Sequence, residues 1–439
     1  MSLKIAHIIP GSGGSFYCGN CLRDSKYFDA LRKSGHDVIK IPMYLPIFSD
    51  ERDLGNVPVF YGAISIYLKQ LYPIFRKAPA WFDKLLNSKP MLKMAASMAG
   101  STRAKGLEEM TISMLLGEQG KQHEELERMV EWLHDHFKPD VVHLSNALLL
   151  GLAKRIKEKL NVPVVCSLQD EDVWVDIMTE SSRKQVWKLM GERSAFVDRF
   201  IAVSQYYAAF SADRMQISPE KIASIYIGVD PSDYRYKNPG DKNRTIGYIS
   251  RMCHENGLDI LTDAFILLKK HSGYDDVKLM ITGGQTGDDT NYLKKIRAEL
   301  NKNGLLDSVI FHKDFEGEGR REFFDRVAVI SVPVRNGEAF GIYIAESMAS
   351  GIPVVQPALG AFPEILEKTG GGVVYGENKP EMLAMALKEL MDQPERLRQL
   401  SSNARKGTEK HFNINLLATE MIEMYQQVID GNSPNLPGF

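Results

Sequence analysis

No apolar run of eighteen or more residues occurs in the chain, so nothing in it reads as a membrane-spanning helix. The opening MSLKIAHIIP goes directly into a strand pattern, which reads as a cytoplasmic protein without a signal peptide. Cysteine is scarce: four in 439 residues, at 18, 21, 166 and 253, do not make a disulfide framework in a chain this long. Cys18 and Cys21 stand in C-x-x-C spacing within SGGSFYCGNCLRD, but no second thiolate or histidine pair matches them. Shaping a loop and helix start therefore suits them better than metal or redox chemistry. Charge of one sign is also lacking: 54 Lys and Arg face 56 Asp and Glu, a net of -2, and no global basic field asks for nucleic acid. Gly11, Gly13 and Gly14 depart from the G-x-G-x-x-G spacing, so a nicotinamide dinucleotide is weakly supported.

What is present is the pattern of an α/β protein. At 44% apolar and 25% charged residues the composition is globular, and 439 residues exceed what one core usually serves, so two domains are the default. Strand-like LKIAHII at 3–9, the glycine turn, a helix from about Asn20 to Ser34 and a strand at 37–42 begin a parallel sheet with a ligand crevice at its strand ends. Further strands are expected near 141–142, 163–167, 199–203, 245–249, 278–282, 308–311 and 328–332, with helices between them. One helix is predicted over Ala147 to Leu160, and Ser204 is predicted to cap another.

Residues 334–364 carry the densest chemistry. Helical periodicity begins near Phe340, passes through Ile342, Ile344, Ala345, Met348 and Ala349, and stops at Gly351 before Pro353 and the strand-like Val354 and Val355. Glu338 falls on the loop entering this helix and Glu346 on one face of it. Amides of Ala339, Phe340 and Gly341 are expected at the first turn, where the helix dipole favours a phosphate oxygen. Gly341 lets a ligand approach the backbone, and Glu346 is a good acceptor for a pair of sugar hydroxyls. A solvated helix start with ordinary acidic preference would look similar over these residues alone.

The full string Glu338, Phe340, Gly341, Glu346, Met348, Ala349, Gly351, Pro353, Val354, Val355 resembles E-x-F-G-x-x-x-x-E-x-M-A-x-G-x-P-V-V of the family 4 glycosyltransferases. Gly360, Pro363 and Glu364 resemble the family's next turn, and Gly228, Val229 and Asp230 its G-V-D before the interdomain crossing. The resemblance implies a GT-B fold, an α/β architecture of two Rossmann-like domains facing across a deep cleft, and retaining, metal-independent sugar transfer from a nucleotide sugar. It places Glu346 on the donor's ribose, Glu338 beside the donor sugar, and Arg251 on the diphosphate. Phe340, Gly341, Ile342 and Gly283 belong to the same donor cradle, with Gly13 and Gly14 on the diphosphate side. No separate cofactor is implied, the donor being a UDP- or GDP-sugar.

Departures from the family pattern are equally specific. His143 is kept, but Ser145 stands at the family's second histidine, and Gln169 stands where a histidine precedes Asp170. His143 and Asp170 are retained as catalytic candidates, His143 being equally readable as a buried strand-end residue. Asn256 replaces a lysine expected beside the diphosphate; Lys313 or Arg335 could compensate. Asp170 and Asp172 also spell D-x-D, too short a match to argue for a metal.

These readings give an acceptor-side domain at 1–232 with a helical insert at about 64–115, a nucleotide-sugar domain at 244–412, and a helix at 413–430 returning to the first domain. Pro231 to Asn243 reads as the linker. Basic and apolar residues alternate over 67–100, which suits an anionic membrane surface, an acceptor groove or ordinary packing. The expected function is hexose transfer to a hydroxyl of a glycan, lipid-linked or small-molecule acceptor, with possible peripheral contact at the inner membrane face. A nucleotide-sugar epimerase or hydrolase of the same fold, or a catalytically weakened membrane-surface binding protein, is the alternative.

Overall fold

The computed structural model describes residues 2–10, 19–43, 107–238 and 244–431. The chain divides into two units: Met1–Gly14, Asp24–Ile225 and Ala418–Phe439 form the first, and Ser15–Arg23 and Tyr226–Leu417 the second. Each is a parallel sheet clothed by helices. Gly13, Gly14, Cys18, residues 67–100 and most of the insert expected at 64–115 lie outside the described residues.

In the first unit the strands are β1 (Lys4–Ile9), β2 (Asp37–Pro42), β3 (Val141–Leu144), β4 (Val164–Leu168), β5 (Arg199–Ala202) and β6 (Ile222–Ser224), in the order β2-β1-β3-β4-β5-β6. Their sequences are nearly continuous apolar runs because both faces are covered, and every residue of β3 and β4 is buried. Ile5 lies opposite Val38 on one side and Val141 on the other. Chain direction across the sheet therefore reverses between β1 and β3.

The second unit holds β7 (Thr245–Ile249), β8 (Lys278–Thr282), β9 (Val309–Phe311), β10 (Val329–Ile330), β11 (Val354–Pro357) and β12 (Gly372–Tyr375), in the order β12-β11-β10-β7-β8-β9. Counted within the unit, that is the doubly wound order 3-2-1-4-5-6 seen from its far edge, and its reversal lies between β7 and β10. In such sheets ligands bind beyond the carboxyl ends of the two strands flanking the reversal. Residues 250–257 leave β7 and residues 331–341 leave β10 at that place, which brings Arg251 and Glu338 to one end of one sheet.

Two local outcomes differ from the sequence reading. The helix predicted over 147–160 is a 3-10 segment, Ala147–Leu152, followed by an α-helix, Ala153–Leu160. A tight backbone crossing accompanies the change: a Cβ on Gly151 would stand 1.9 Å from the Met114 carbonyl oxygen, and one on Gly117 2.1 Å from that of Gly151. The units, moreover, divide at Ile225/Tyr226, ahead of the expected linker. The reason is hydrogen bonding: Val229 N–H donates to the Phe412 carbonyl and Ile414 N–H to that of Val229, both at 2.9 Å. Arg405 then donates to the carbonyls of Pro231 (2.9 Å), Tyr234 (3.1 Å) and Ala349 (2.6 Å), binding the segment to the second unit.

Candidate active site

At the end of β10 the chain makes a glycine-bracketed loop and enters the helix Ile342–Ala349. Gly341 caps it with a φ of 84°, so the helix starts two residues later than the apolar period predicted, and its first-turn amides are those of Ile342 and Tyr343 rather than Ala339 and Phe340. Gly341 is required here for space as well as conformation. A Cβ would lie 2.4 Å from Glu338 Oε2 and 2.9 Å from the Tyr343 ring. The Glu338 carboxylate thus occupies the volume that a side chain would take at the helix entry. Ala361 N–H donates to the Glu338 carbonyl at 3.0 Å, seating the Gly360 turn against this loop.

Tyr343 supports the same carboxylate from within. Its buried hydroxyl accepts from Gln356 Nε2 at 2.8 Å, while Gln356 Oε1 accepts the Val332 N–H at 3.0 Å. Burial, then the charge of Glu338, push the Tyr343 phenol well above its ordinary range, so it stays a neutral donor. Phe340 is part of the core, its ring edge-on to Phe412 at 5.2 Å. Glu346 has no exposed surface. Its Oε1 accepts from Tyr234 Oη at 2.7 Å and from Arg320 Nη1 at 3.0 Å.

Across the reversal, Arg251 follows β7. Its Nε and Nη2 donate to the two oxygens of Asp289, each at 3.0 Å, and Nη2 also reaches Thr286 Oγ1 at 3.1 Å. Burial opposes the Arg251 charge, but the Asp289 bonds outweigh it and hold the guanidinium pKa above its usual value; Asp289 is correspondingly lowered despite its own burial. Gly283 contributes a close approach, since a Cβ there would stand 2.1 Å from the Ser250 carbonyl oxygen. Asn256, at the expected lysine position, donates to Ser250 Oγ at 2.8 Å and to the Arg251 carbonyl at 3.2 Å, bracing the loop without adding charge. Arg335 meets that loop too: it donates to the His254 carbonyl at 3.0 Å and pairs with Asp259. Lys313 is exposed.

The first unit's reversal is built differently. His7 and His143 face each other in register across β1 and β3, their rings stacked at 4.7 Å. His143 Nδ1 meets Tyr425 Oη at 2.5 Å and Nε2 meets Ser167 Oγ at 2.8 Å, so the strand-end imidazole is engaged at both nitrogens. Beside it, Gln169 Nε2 donates to the Ser145 carbonyl at 2.6 Å, whereas Ser145 Oγ and Gln169 Oε1 are buried with no hydrogen-bond partner among the described residues.

Asp170 adopts a left-handed φ of 54°, tolerated by an aspartate, and turns the chain into the short helix Glu171–Val175. Glu171, unnoticed in the sequence, anchors this turn. Its carboxylate accepts the N–H of Ala147 (2.8 Å) and Gln169 (2.9 Å) and the Tyr207 hydroxyl (2.9 Å). Full burial pushes its pKa to about 7 against those bonds. Asp172 shares the Tyr207 hydroxyl at 2.9 Å. Ser204 caps the following helix as predicted, accepting from Tyr207 N–H at 3.0 Å.

Tyr234, Arg320, Asp289, Tyr343, Glu171 and Tyr207 were thus missed by sequence reasoning. Only Glu171 had a signal, its place in the acidic run Asp170–Asp172. Cys21 is disulfide-bonded, whereas Cys166 and Cys253 are buried thiols. Among the described residues no group of three His, Cys, Asp or Glu side chains is arranged to hold a metal, and no helix is long and apolar enough to cross a membrane.

Comparison with known proteins agrees with this arrangement. The chain is 23% identical over 305 residues to an uncharacterised glycosyltransferase of Methanocaldococcus jannaschii, covering 66% of this chain and 75% of that protein. It is 26% identical over 305 residues to the MMP alpha-(1->4)-mannosyltransferase of Mycolicibacterium hassiacum, covering 66% and 71%. Anabaena HepE, solved in complex with UDP and glucose, superposes with a TM-score of 0.70 at 16% identity, covering 97% of this chain and all of that one (100%). A model described as glycosyl transferases group 1 matches residues 232–407, and one described as Glycosyltransferase Family 4 matches residues 115–233. With the doubly wound sheets and the 338–355 signature in place, the chain belongs to the family 4 glycosyltransferases and has their GT-B fold.

Proposed function

We propose that the chain is a retaining hexosyltransferase that moves a hexose from a UDP- or GDP-sugar to a hydroxyl acceptor, in the synthesis of a glycan or glycolipid. The observation that carries the reading is the unbroken 338–355 signature, folded so that the Glu338 carboxylate fills the space at a glycine-capped helix entry and Glu346 stands on the same helix. The donor binds to the second unit. Ribose hydroxyls meet Glu346, and the diphosphate meets Arg251 and the first-turn amides of Ile342 and Tyr343. Glu338 faces the transferred sugar. As the bond from the anomeric carbon to phosphate breaks, charge grows on the leaving diphosphate, and a cradle fixed in advance stabilises it without reorganising. The acceptor oxygen bonds to the anomeric carbon from the face the phosphate leaves, and its proton passes to the departing phosphate oxygen.

Arg335 is the cation best situated to offset Asn256, since it reaches from the loop after β10 to the His254 carbonyl in Asn256's own loop. Asp170 and the Gln169 and Ser145 side chains are assigned to the acceptor, with His143 supporting them from the sheet. The activity is independent of metal and works on the cytoplasmic side. The names of two relatives support sugar transfer without fixing this sugar: the mannosyltransferase above, and a D-inositol 3-phosphate glycosyltransferase of Segniliparus rotundus, 24% identical over 284 residues.

A second reading, nucleotide-sugar binding without turnover, is favoured by Asn256 and by the neutralising pair of Arg251 with Asp289. One experiment separates the two. UDP-, GDP- and ADP-sugars are titrated calorimetrically into wild type and Glu346→Ala, followed by an acceptor screen with the donor that binds. Binding of one nucleotide class, lost in the variant, with turnover in the screen supports transfer. Binding without turnover supports the second reading, and no binding at all removes both.

A further inference from the structure

Glu346 is a carboxylate with no exposed surface, and such a group persists only where donors meet it. Among the described residues Tyr234 and Arg320 do so, and neither belongs to its own helix. Tyr234 comes from the segment that follows the 3-10 turn Pro231–Asp233, and Arg320 comes from the helix Gly317–Arg326. Both donate to the same oxygen, Oε1, at 2.7 and 3.0 Å.

Both donors are themselves held. The Tyr234 ring packs edge-on against Phe324 at 6.0 Å, and its carbonyl accepts from Arg405, which also grips Ala349 at the end of the Glu346 helix. Arg320 is oriented by an Nε bond to the Phe315 carbonyl at 2.9 Å. A carboxylate gripped from two elements through one oxygen has its plane fixed before any ligand arrives. For a vicinal diol, which must meet a carboxylate at defined angles, this removes an ordering cost on binding.

We infer that Tyr234 and Arg320 are positioning residues that set the Glu346 carboxylate for the two ribose hydroxyls of the donor nucleotide, and so determine selection for a ribose over a sugar lacking that diol. The inference rests on the donor reading above. It gives a purpose to a charge pair that would otherwise be a buried structural contact, a weak source of stability by itself.

The test compares the affinity of UDP with that of 2′,3′-dideoxy-UDP in wild type, Tyr234→Phe and Arg320→Gln, with the guanine pair run in parallel. Wild type is expected to prefer the ribonucleotide by tenfold or more, the scale of hydrogen bonds to a charged group. In Tyr234→Phe, which keeps the ring packing, the preference should fall at least threefold while dideoxy-UDP affinity is unchanged. Arg320→Gln should lower it further. A structural role alone weakens both ligands equally and preserves the ratio, and that result overturns the inference while leaving the donor reading intact. A wild type that binds the nucleotides but shows no preference removes Glu346 from the ribose. A wild type that binds neither nucleotide pair overturns the donor reading and this inference with it.

Discussion

The two sheets reverse direction at equivalent places, between β1 and β3 in one unit and between β7 and β10 in the other, yet they furnish those places with different chemistry. The second unit's reversal carries full charges, each held by a partner: Arg251 by Asp289, and Glu346 by Arg320. The first unit's reversal carries stacked imidazoles, hydroxyls and amides, with Glu171 raised to a pKa of about 7 by burial. Fixed charges suit a ligand that is itself charged, such as a diphosphate. Hydroxyls, amides and imidazoles beside the acidic turn Asp170–Asp172 suit a ligand recognised by its hydroxyls. The fold supplies the position and the side chains decide the ligand.

The most damaging way to break the contrast is to remove the buried charge. Glu346→Ala removes the acceptor shared by Tyr234 and Arg320, and nucleotide affinity measured by calorimetry is expected to fall by about a hundredfold or more, the upper end for a hydrogen bond to a charged group. Arg251→Lys keeps the charge but cannot reproduce the two-pronged contact with Asp289; affinity for the nucleoside diphosphate is expected to drop about tenfold, with a smaller loss for the nucleoside.

Glu171 sharpens the comparison from the other side. Its pKa is raised from 4.5 in the unfolded chain to about 7 in the folded one, so the folded state holds the extra proton between those values. Stability from this group is complete below pH 4.5 and is lost as pH rises through 7, by on the order of 3 kcal/mol at most. Urea unfolding at pH 5 and pH 8 should show Glu171→Gln losing less stability over that interval than wild type. An identical loss in both would mean that Glu171 titrates normally.

Smaller effects come from geometry. Gly341→Ala forces a Cβ into the Glu338 carboxylate at a φ of 84°, and turnover should fall several-fold with a stability loss of about 1–2 kcal/mol. Tyr425→Phe removes one partner of His143, and thermal unfolding should report a loss of about 1 kcal/mol with nucleotide affinity unchanged.

How much of this was legible in the sequence follows from distance along the chain. Glu338, Gly341 and Glu346 lie within one turn and helix, so the contiguous 338–355 string could be read as a candidate site. Their partners could not be announced in that way: Tyr234 is 112 residues from Glu346, and Asp289 is 38 from Arg251, brought close only by the order of the strands. The helix start was misplaced because apolar periodicity continues through Phe340, while the left-handed Gly341 sets the first turn. Glu171 stands in the acidic run QDED with no spacing that marks it as buried, and only the turn at Asp170 puts it inside the fold.

The charged reversal of the second unit is proposed to receive the donor nucleotide. Hydrogen–deuterium exchange with and without saturating UDP or GDP tests it most directly. Protection is expected in 250–257, 286–289 and 338–350, and is expected to be abolished by Glu346→Ala. Unchanged exchange in those segments, with the nucleotide demonstrably bound, would mean that the nucleotide binds elsewhere.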